Sequence, residues 1–128
     1  MKQQKMSVTE TVAVLGASPK PGRFSHKAIV ALKAAGYQVF PVNPGQSEID
    51  GLSCYPDLPS CPVSIDTITV YVNPLILIRR VDDMIAVNPS RVILNPGTES
   101  EEVIERLQEA GIEVLQDCTL VMLSTGTF

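Results

Sequence analysis

Short runs of apolar residues recur along the chain, and most of them end at a glycine, proline or asparagine turn. The first run, 11–15, is a β-branched stretch closed by Gly16, which is typical of a fully buried strand. Similar runs predict four more strands, at 37–42, 65–72, 91–94 and 112–115. Between them, apolar residues at helical spacing predict helices over 25–35, 75–87 and 98–110.

The predicted helices carry recognisable start and stop residues. Ser25 is a predicted N-cap of the first helix, and Gly36 is the residue that ends it. Pro74 suits the first position of the second helix, where its missing N–H costs nothing. Thr98 followed three residues later by Glu101 matches the capping-box pattern of the third helix.

Strands that alternate with helices predict a parallel sheet covered on both faces. We therefore expect a doubly wound, Rossmann-like α/β domain with a five-stranded sheet. Right-handed crossovers favour the strand order 3-2-1-4-5. One such domain over 11–128 accounts for the chain, preceded by a polar arm over 1–10. Two segments are left over: a long loop over 46–62 with a short extended piece at 52–55, and an apolar tail after Asp117.

Composition narrows the classes of partner. The 128 residues are 45% hydrophobic and 19% charged, an ordinary globular mixture. The net charge of −4 argues against a nucleic-acid partner, because phosphate neutralisation needs a basic face. No run approaches the length of a membrane span, and the polar start of the chain does not look like a secretory signal. Cys54, Cys61 and Cys118 are irregularly spaced, so we expect free thiols in a cytoplasmic protein and no metal site.

The turns after the strands are the candidate site. They cover 16–23, 43–45, 73–74 and 95–97, and all of them follow the carboxyl ends of predicted strands. Ligands of such sheets bind at that edge, at the topological switch point. The first turn adds two cations, Lys20 and Arg23, before a helix begins, which indicates an anion such as a phosphate.

The dinucleotide fingerprint is incomplete in this turn. It has one glycine, Gly16, where the pattern requires three, and the second strand ends at Asn43 without the acid that would bind a ribose. These differences disfavour a nicotinamide cofactor. A longer turn with two cations suits coenzyme A, which carries a pyrophosphate and a 3′-phosphate.

The stretch Gly16-Ala-Ser-Pro-Lys-Pro-Gly-Arg-Phe-Ser-His-Lys-Ala28, followed by Pro41-Val-Asn-Pro44, resembles the CoA-binding domain proteins. These are free-standing relatives of the N-terminal CoA-binding domain of succinyl-CoA synthetase α subunits and of ADP-forming acyl-CoA synthetases. The resemblance covers 10–123 and includes the later turns up to Asp117-Cys118. Many members have a basic pair before the proline of the third turn, where this chain has Val72-Asn73.

The resemblance implies a role for each turn. The amides of Gly16 and Ala17, with Ser18, would meet the phosphates, and Lys20 and Arg23 would be the counter-charges. The nucleotide half would lie along Val42, Asn43 and Pro44. The adenine would be flanked by Val72, Asn73 and Pro74. The pantetheine arm would contact Asn95, Pro96 and Gly97.

The functional prediction is non-catalytic binding of coenzyme A or an acyl-CoA, with no catalytic residue assigned. An alternative is a small enzyme acting on a phosphorylated or nucleotide-type substrate, including an NAD(P)-dependent one, with His26 or Cys118 performing the chemistry. A third is a scaffold whose pocket is vestigial. A homodimer or an unidentified protein partner is compatible with each of them.

Overall fold

The computed structural model describes residues 10–128, so the predicted polar arm lies, apart from Glu10, outside the described residues. The centre of the molecule is a five-stranded sheet in which every strand is parallel to its neighbours. In spatial order the strands are β2 (Gln38–Val42), β1 (Thr11–Leu15), β5 (Thr67–Val70), β6 (Arg91–Leu94) and β7 (Glu113–Gln116). A separate antiparallel hairpin consists of β3 (Glu48–Ile49) and β4 (Leu52–Ser53).

Helices cover both faces of the sheet. They are α1 (Phe24–Ala34), α2 (Pro74–Leu77), α3 (Val81–Val87), α4 (Glu101–Glu109) and α5 (Thr119–Thr125). Val12 and Val14 of β1 belong to the core cluster that contains α1, whereas Ala13 and Leu15 belong to the cluster that contains α3 and α4. Because alternate residues of a buried strand enter opposite cores, the predicted doubly wound, Rossmann-like α/β fold is confirmed.

The predicted strand order is wrong. In chain order the five sheet strands run 2-1-3-4-5, so the third long strand, β5, pairs with β1 rather than lying outside β2. The outer edge of β2 is occupied by the segment that follows the hairpin. There the Tyr55 amide donates to the Pro41 carbonyl at 3.0 Å, and the Asn43 amide donates to the Tyr55 carbonyl at 2.9 Å. The switch point therefore lies between β1 and β5.

The helix boundaries differ from the predicted ones in two ways. Ser25 is not the N-cap of α1, because it lies buried in the first turn and Arg23 occupies the cap position without a side-chain hydrogen bond. The predicted capping box is also wrong. Ser100 Oγ accepts from the Val103 amide, while Thr98 Oγ1 donates to the Asn95 carbonyl at 2.7 Å.

The predicted helix over 75–87 is two helices. Pro74 is the first residue of α2, as predicted, and Asn73 Oδ1 caps that helix by accepting from the Ile76 amide at 3.0 Å. The helix ends at Leu77, and α3 begins only at Val81. The intervening turn contains Arg79 and Arg80, which line a cavity together with Leu15, Gly16 and Val42 at the carboxyl edge of the sheet.

The apolar tail folds back as α5 and packs against α1. Met122 is buried, and the Phe128 ring meets the Tyr37 ring edge-on with centroids 5.1 Å apart. The tail thus covers the core.

All three cysteines are free thiols. Within residues 10–128, no helix is both long enough and apolar enough to cross a membrane.

Candidate ligand-binding site

The first loop, over 16–23, lies at the switch point and touches both neighbouring strand ends. Gly16 has a φ of +90°, a conformation that favours glycine. A Cβ at this position would lie 2.7 Å from Val72 Cγ1 and 3.1 Å from the Val72 amide nitrogen. Only a residue without a side chain lets the loop approach the end of β5 this closely.

Two amides assigned to the ligand are used inside the fold instead. The amides of Gly16 and Ala17 both donate to the Val42 carbonyl, at 3.0 and 3.2 Å. This geometry contradicts the expectation that these two amides meet a phosphate. They join the loop to the end of β2, and Ala17 itself is buried.

Side chains brace the loop from two further directions. Asn43 Nδ2 donates to the Ala17 carbonyl at 2.7 Å, while Asn43 Oδ1 accepts from the Gly45 amide at 2.8 Å. His26 Nδ1 lies 2.9 Å from the Ser18 carbonyl and must be the donor, since a carbonyl oxygen only accepts. Ser18 Oγ in turn accepts from the Lys20 amide at 3.1 Å. The loop is therefore held in shape without a ligand.

Several cations at this edge have no ion-pair partner among residues 10–128. The ion pairs among residues 10–128 are Lys33–Asp50, Arg91–Glu10 and Arg106–Asp82, all elsewhere. The described cations outside these pairs are Lys20, Arg23, Lys27, Arg79 and Arg80. Three of them, Arg23, Arg79 and Arg80, line cavities at this edge. A cluster of unpaired cations beside a preformed loop favours a ligand with several negative charges.

Three cavities open along the carboxyl edge. The first, which we call the arginine cleft, has a volume of about 350 Å³ and is lined by Leu15, Gly16, Val42, Asn43, Pro44, Pro56, Asp57, Leu58, Val72, Ile76, Arg79 and Arg80. The second, the loop cavity, has about 220 Å³ and is lined by Gly16, Ser18, Arg23, Phe24, Ser25, Tyr71, Pro96 and Thr98. The third, the tyrosine cavity, has about 190 Å³ and is lined by Phe24, Tyr71, Asn95, Pro96, Cys118 and Leu120.

The three cavities share walls. Gly16 lines both the arginine cleft and the loop cavity. Phe24, Tyr71 and Pro96 line both the loop cavity and the tyrosine cavity. The cavities therefore lie next to one another along the sheet edge, and we call this series the track. It has two arginines at one end and apolar walls at the other.

Most of the predicted site residues lie on this track. Those that line it are Gly16, Ser18, Arg23, Val42, Asn43, Pro44, Val72, Asn95 and Pro96. The other five, Ala17, Lys20, Asn73, Pro74 and Gly97, do not line any of the three cavities. For Asn73 and Pro74 the structure shows a helix cap and a first helical residue.

Asn95 lines the tyrosine cavity, but both polar atoms of its side chain already have hydrogen-bond partners within the protein. Its side chain is 2% exposed, with Nδ2 donating to Thr69 Oγ1 at 2.8 Å and to the Val70 carbonyl at 2.9 Å. Its Oδ1 accepts from the Thr119 amide at 2.9 Å. Asn95 thus connects β5, the end of β6 and the start of α5, which is a structural role.

The residues at both ends of the track were not predicted from the sequence. Arg79 and Arg80 reach the arginine cleft because the helix breaks between Leu77 and Val81. Their signal was present as a basic pair five residues after Pro74. At the other end, no sequence signal distinguished Tyr71, whose hydroxyl is buried beside the Thr69 and Thr119 side chains. Burial raises the pKa of the Tyr71 phenol, so it is a neutral donor at neutral pH.

The protein is a doubly wound α/β domain with a preformed loop and cations at the carboxyl edge of its sheet, a candidate site for an anion. A family model described as "CoA binding domain" matches residues 10–124, and the chain belongs to that family. The resemblance seen in the first loop and the Val-Asn-Pro turns is thereby confirmed.

Both proteins of similar length and one much longer protein resemble this chain. The uncharacterized protein YneT of Bacillus subtilis (strain 168) is 28% identical over 109 residues, which are 85% of this chain and 81% of YneT. A hypothetical protein from Pyrococcus horikoshii OT3 has a similar structure, with a TM-score of 0.88 and 28% identity over 93% of this chain and 84% of that one.

One similar structure belongs to a much larger protein. It is the dinucleotide forming acetyl-coenzyme A synthetase 1 of Ca. Korarchaeum cryptofilum, in complex with phosphate and ADP, with a TM-score of 0.75 and 26% identity. The match covers 84% of this chain and 25% of the synthetase. This chain therefore corresponds to one part of that protein.

Proposed function

We propose that the protein binds coenzyme A or an acyl-CoA along the track formed by the arginine cleft, the loop cavity and the tyrosine cavity. The observation that carries this proposal is the row of three adjacent cavities, with unpaired cations at one end and apolar walls at the other. Coenzyme A has the same polarity along its length, from a phosphorylated nucleotide to a slender arm that ends in a thiol. Membership of the CoA binding domain family supports the same ligand.

The cations suggest how the ligand is oriented. Arg79 and Arg80 would bind the 3′-phosphate in the arginine cleft, whose volume of about 350 Å³ is in the range of small-molecule sites. Arg23 and the Ser18 hydroxyl, both lining the loop cavity, would meet the pyrophosphate. The pantetheine arm would then extend past Pro96 into the tyrosine cavity. The arginines would make charge-assisted hydrogen bonds to the phosphates, and the Ser18 hydroxyl would make an ordinary hydrogen bond.

The proposal is binding without a reaction. His26 donates to the Ser18 carbonyl and so serves the shape of the loop. Cys118 lines the tyrosine cavity, and no side chain among the described residues is bonded to its sulfur. The enzyme alternative therefore gains no nucleophile–base pair from residues 10–128. The cytoplasm is the proposed location, which the three free thiols support.

Isothermal titration calorimetry and thermal shift with coenzyme A, dephospho-CoA, acetyl-CoA, NAD, NADP, ATP and AMP test the proposal. At 100 times its dissociation constant, a bound ligand adds about 2.7 kcal/mol to the free energy of unfolding. We expect that response from the CoA species and little from NAD or NADP. Absence of binding by every CoA species overturns the proposal, and selective NAD(P) binding would favour the dinucleotide alternative.

A further inference from the structure

Ser25 is a buried serine whose hydroxyl has no partner within the described residues. It lies in the first turn of α1 and is 4% exposed. The cap position of the helix belongs to Arg23, and no side chain caps the helix with a hydrogen bond. Ser25 Oγ makes no hydrogen bond to any group among residues 10–128. A buried polar group without a partner calls for an explanation outside the packing of the core.

The Ser25 hydroxyl faces the loop cavity. Apart from the Tyr71 hydroxyl, every fully enclosed polar side-chain atom among residues 10–128 has a hydrogen-bond partner. The Ser25 hydroxyl has no partner, so it is not fully enclosed and contributes to the 4% of surface that the residue keeps. Ser25 lines the loop cavity and neither of the other two cavities of the track. The exposed part of the hydroxyl therefore belongs to the loop cavity.

The start of α1 adds free backbone amides at the same place. The first amides of a helix have no acceptor within the helix. The Arg23 amide donates to the Lys20 carbonyl at 3.0 Å, and the Lys27 amide donates to the Arg23 carbonyl at 3.1 Å. The three amides between them have no acceptor among residues 10–128, and they belong to Phe24, Ser25 and His26. No acidic side chain lies in this first turn, so the positive end of the helix dipole is not compensated there.

The groups around the loop cavity define the class of ligand. The cavity has about 220 Å³, and Arg23 lines it together with Ser25, while no carboxylate does. The Thr98 hydroxyl, also in its wall, is committed to the Asn95 carbonyl. A hydroxyl, free amides and a guanidinium are all donors, so they suit a group that is rich in acceptor oxygens and negatively charged. A phosphoryl group has these properties, and helix N-termini bind it well.

We propose that Ser25 donates its hydroxyl to a phosphoryl group bound in the loop cavity at the N-terminus of α1. For coenzyme A this group is the pyrophosphate, and to that extent the inference rests on the proposed function. Free inorganic pyrophosphate presents the same chemistry. A serine at the N-cap would satisfy one of the free amides with its own oxygen. Ser25 lies two residues further along, so it leaves the amides to the ligand and adds a donor of its own.

Calorimetry with coenzyme A on the wild type, Ser25→Ala and Ser100→Ala tests this role. Ser25→Ala should weaken coenzyme A about tenfold or more, the loss expected for a hydrogen bond to a charged group. It should melt at the wild-type temperature or above it, because its hydroxyl leaves no partner behind. Ser100 is the matched control, since its Oγ caps α4 by accepting from the Val103 amide. Ser100→Ala should melt at a lower temperature and bind coenzyme A like the wild type.

A charged variant tests the free amides without any ligand. The carboxylate of Ser25→Asp would lie beside them and take the place of the phosphoryl group. This variant should therefore melt at a higher temperature than Ser25→Asn at pH 7 and should not bind coenzyme A. Ser25→Asn has the same size without the charge. A melting temperature of Ser25→Asp below that of Ser25→Asn would overturn the anion site at the start of α1.

Inorganic pyrophosphate separates this inference from the proposed function. Thermal shift should show that pyrophosphate stabilises the wild type more than Ser25→Ala. Equal affinities of the wild type and Ser25→Ala for coenzyme A overturn the role of Ser25 and leave the proposed function intact. Stabilisation by pyrophosphate that depends on Ser25, without binding of any CoA species, overturns the proposed function and supports the phosphoryl site. Failure of coenzyme A and pyrophosphate alike overturns both.

Discussion

Gly16 and Val72 approach each other so closely that a Cβ on Gly16 would lie 2.7 Å from Val72 Cγ1. The contact joins the first loop to the end of β5, across the switch point of the sheet. It also places Gly16 in the walls of both the arginine cleft and the loop cavity. The shape of the track therefore depends on the absence of a side chain at this position.

Gly16→Ala should destabilise the protein by about 2–4 kcal/mol. The positive φ costs an alanine about 1–2 kcal/mol, and overpacking against the Val72 side chain and the backbone that follows β5 adds about as much again. Urea denaturation measures the change. Gly22→Ala is the matched control in the same loop, because nothing lies within 4 Å of its Cβ position, and it should stay within about 0.5 kcal/mol of the wild type. Similar losses in the two variants would contradict the special role of Gly16.

Asn95 provides a second stability prediction. Asn95→Ala removes three hydrogen bonds made by a 2% exposed side chain, so we expect a loss of about 2–4 kcal/mol in the free energy of unfolding. The exposed Gln108→Ala on α4 is the control, with little expected change. If Asn95→Ala were as stable as the wild type but bound coenzyme A weakly, the ligand contact inferred from the sequence would be right and the structural role wrong.

These two residues also show how far the sequence could be interpreted. Gly16 was recognisable because its role follows from a local pattern, an apolar strand that ends in a glycine turn. The partners of the Asn95 side chain lie 24 to 26 residues away, and the Ala17 carbonyl that accepts from Asn43 Nδ2 lies 26 residues away. No local pattern shows whether an asparagine after a strand faces a ligand or another strand.

The strand order was out of reach for a related reason. Periodicity identified all five strands of the sheet, because each is a short apolar run. Their order is not a local property: Tyr55 occupies the outer edge of β2, where the third strand was expected, and does so from within a loop of turn-forming residues. Arg79 and Arg80 were missed because the apolar spacing over 75–87 reads as one continuous helix, whereas the helix breaks at 78–80.

His26 should act on binding through the loop that it braces. His26→Ala removes the hydrogen bond to the Ser18 carbonyl, so we expect coenzyme A to bind about three- to tenfold more weakly, as for the loss of one hydrogen bond. His26→Asn places an amide nitrogen close to the position of Nδ1 and should recover most of the affinity. Calorimetry on the wild type and the two variants measures their affinities for coenzyme A. No difference among them would mean that the loop keeps its shape without His26.

The arginine pair should distinguish coenzyme A from dephospho-CoA. The double variant Arg79→Ala, Arg80→Ala removes the cations of the arginine cleft, so coenzyme A should bind at least tenfold more weakly while dephospho-CoA changes little. Arg106→Ala is the control, because this arginine pairs with Asp82 away from the track. Equal losses for the two ligands would contradict the placement of the 3′-phosphate and put the pair near the pyrophosphate.

Cys61 should make stability depend on pH in the alkaline range. Burial, with a smaller contribution from Asp57, raises the pKa of the Cys61 thiol from 9.0 to about 11. The folded state therefore favours the neutral thiol, and its stabilising effect is complete below pH 9 and is lost as pH rises towards 11.

Cys61→Ser keeps the size of the side chain without a group that titrates in this range. Urea denaturation between pH 8 and pH 11 should show a shallower fall for this variant than for the wild type. Tyr71 and Cys54, whose pKa values burial also raises, are present in both proteins and cancel in the comparison. Parallel curves for the two proteins would show that the Cys61 thiol is more accessible to water than its packing indicates.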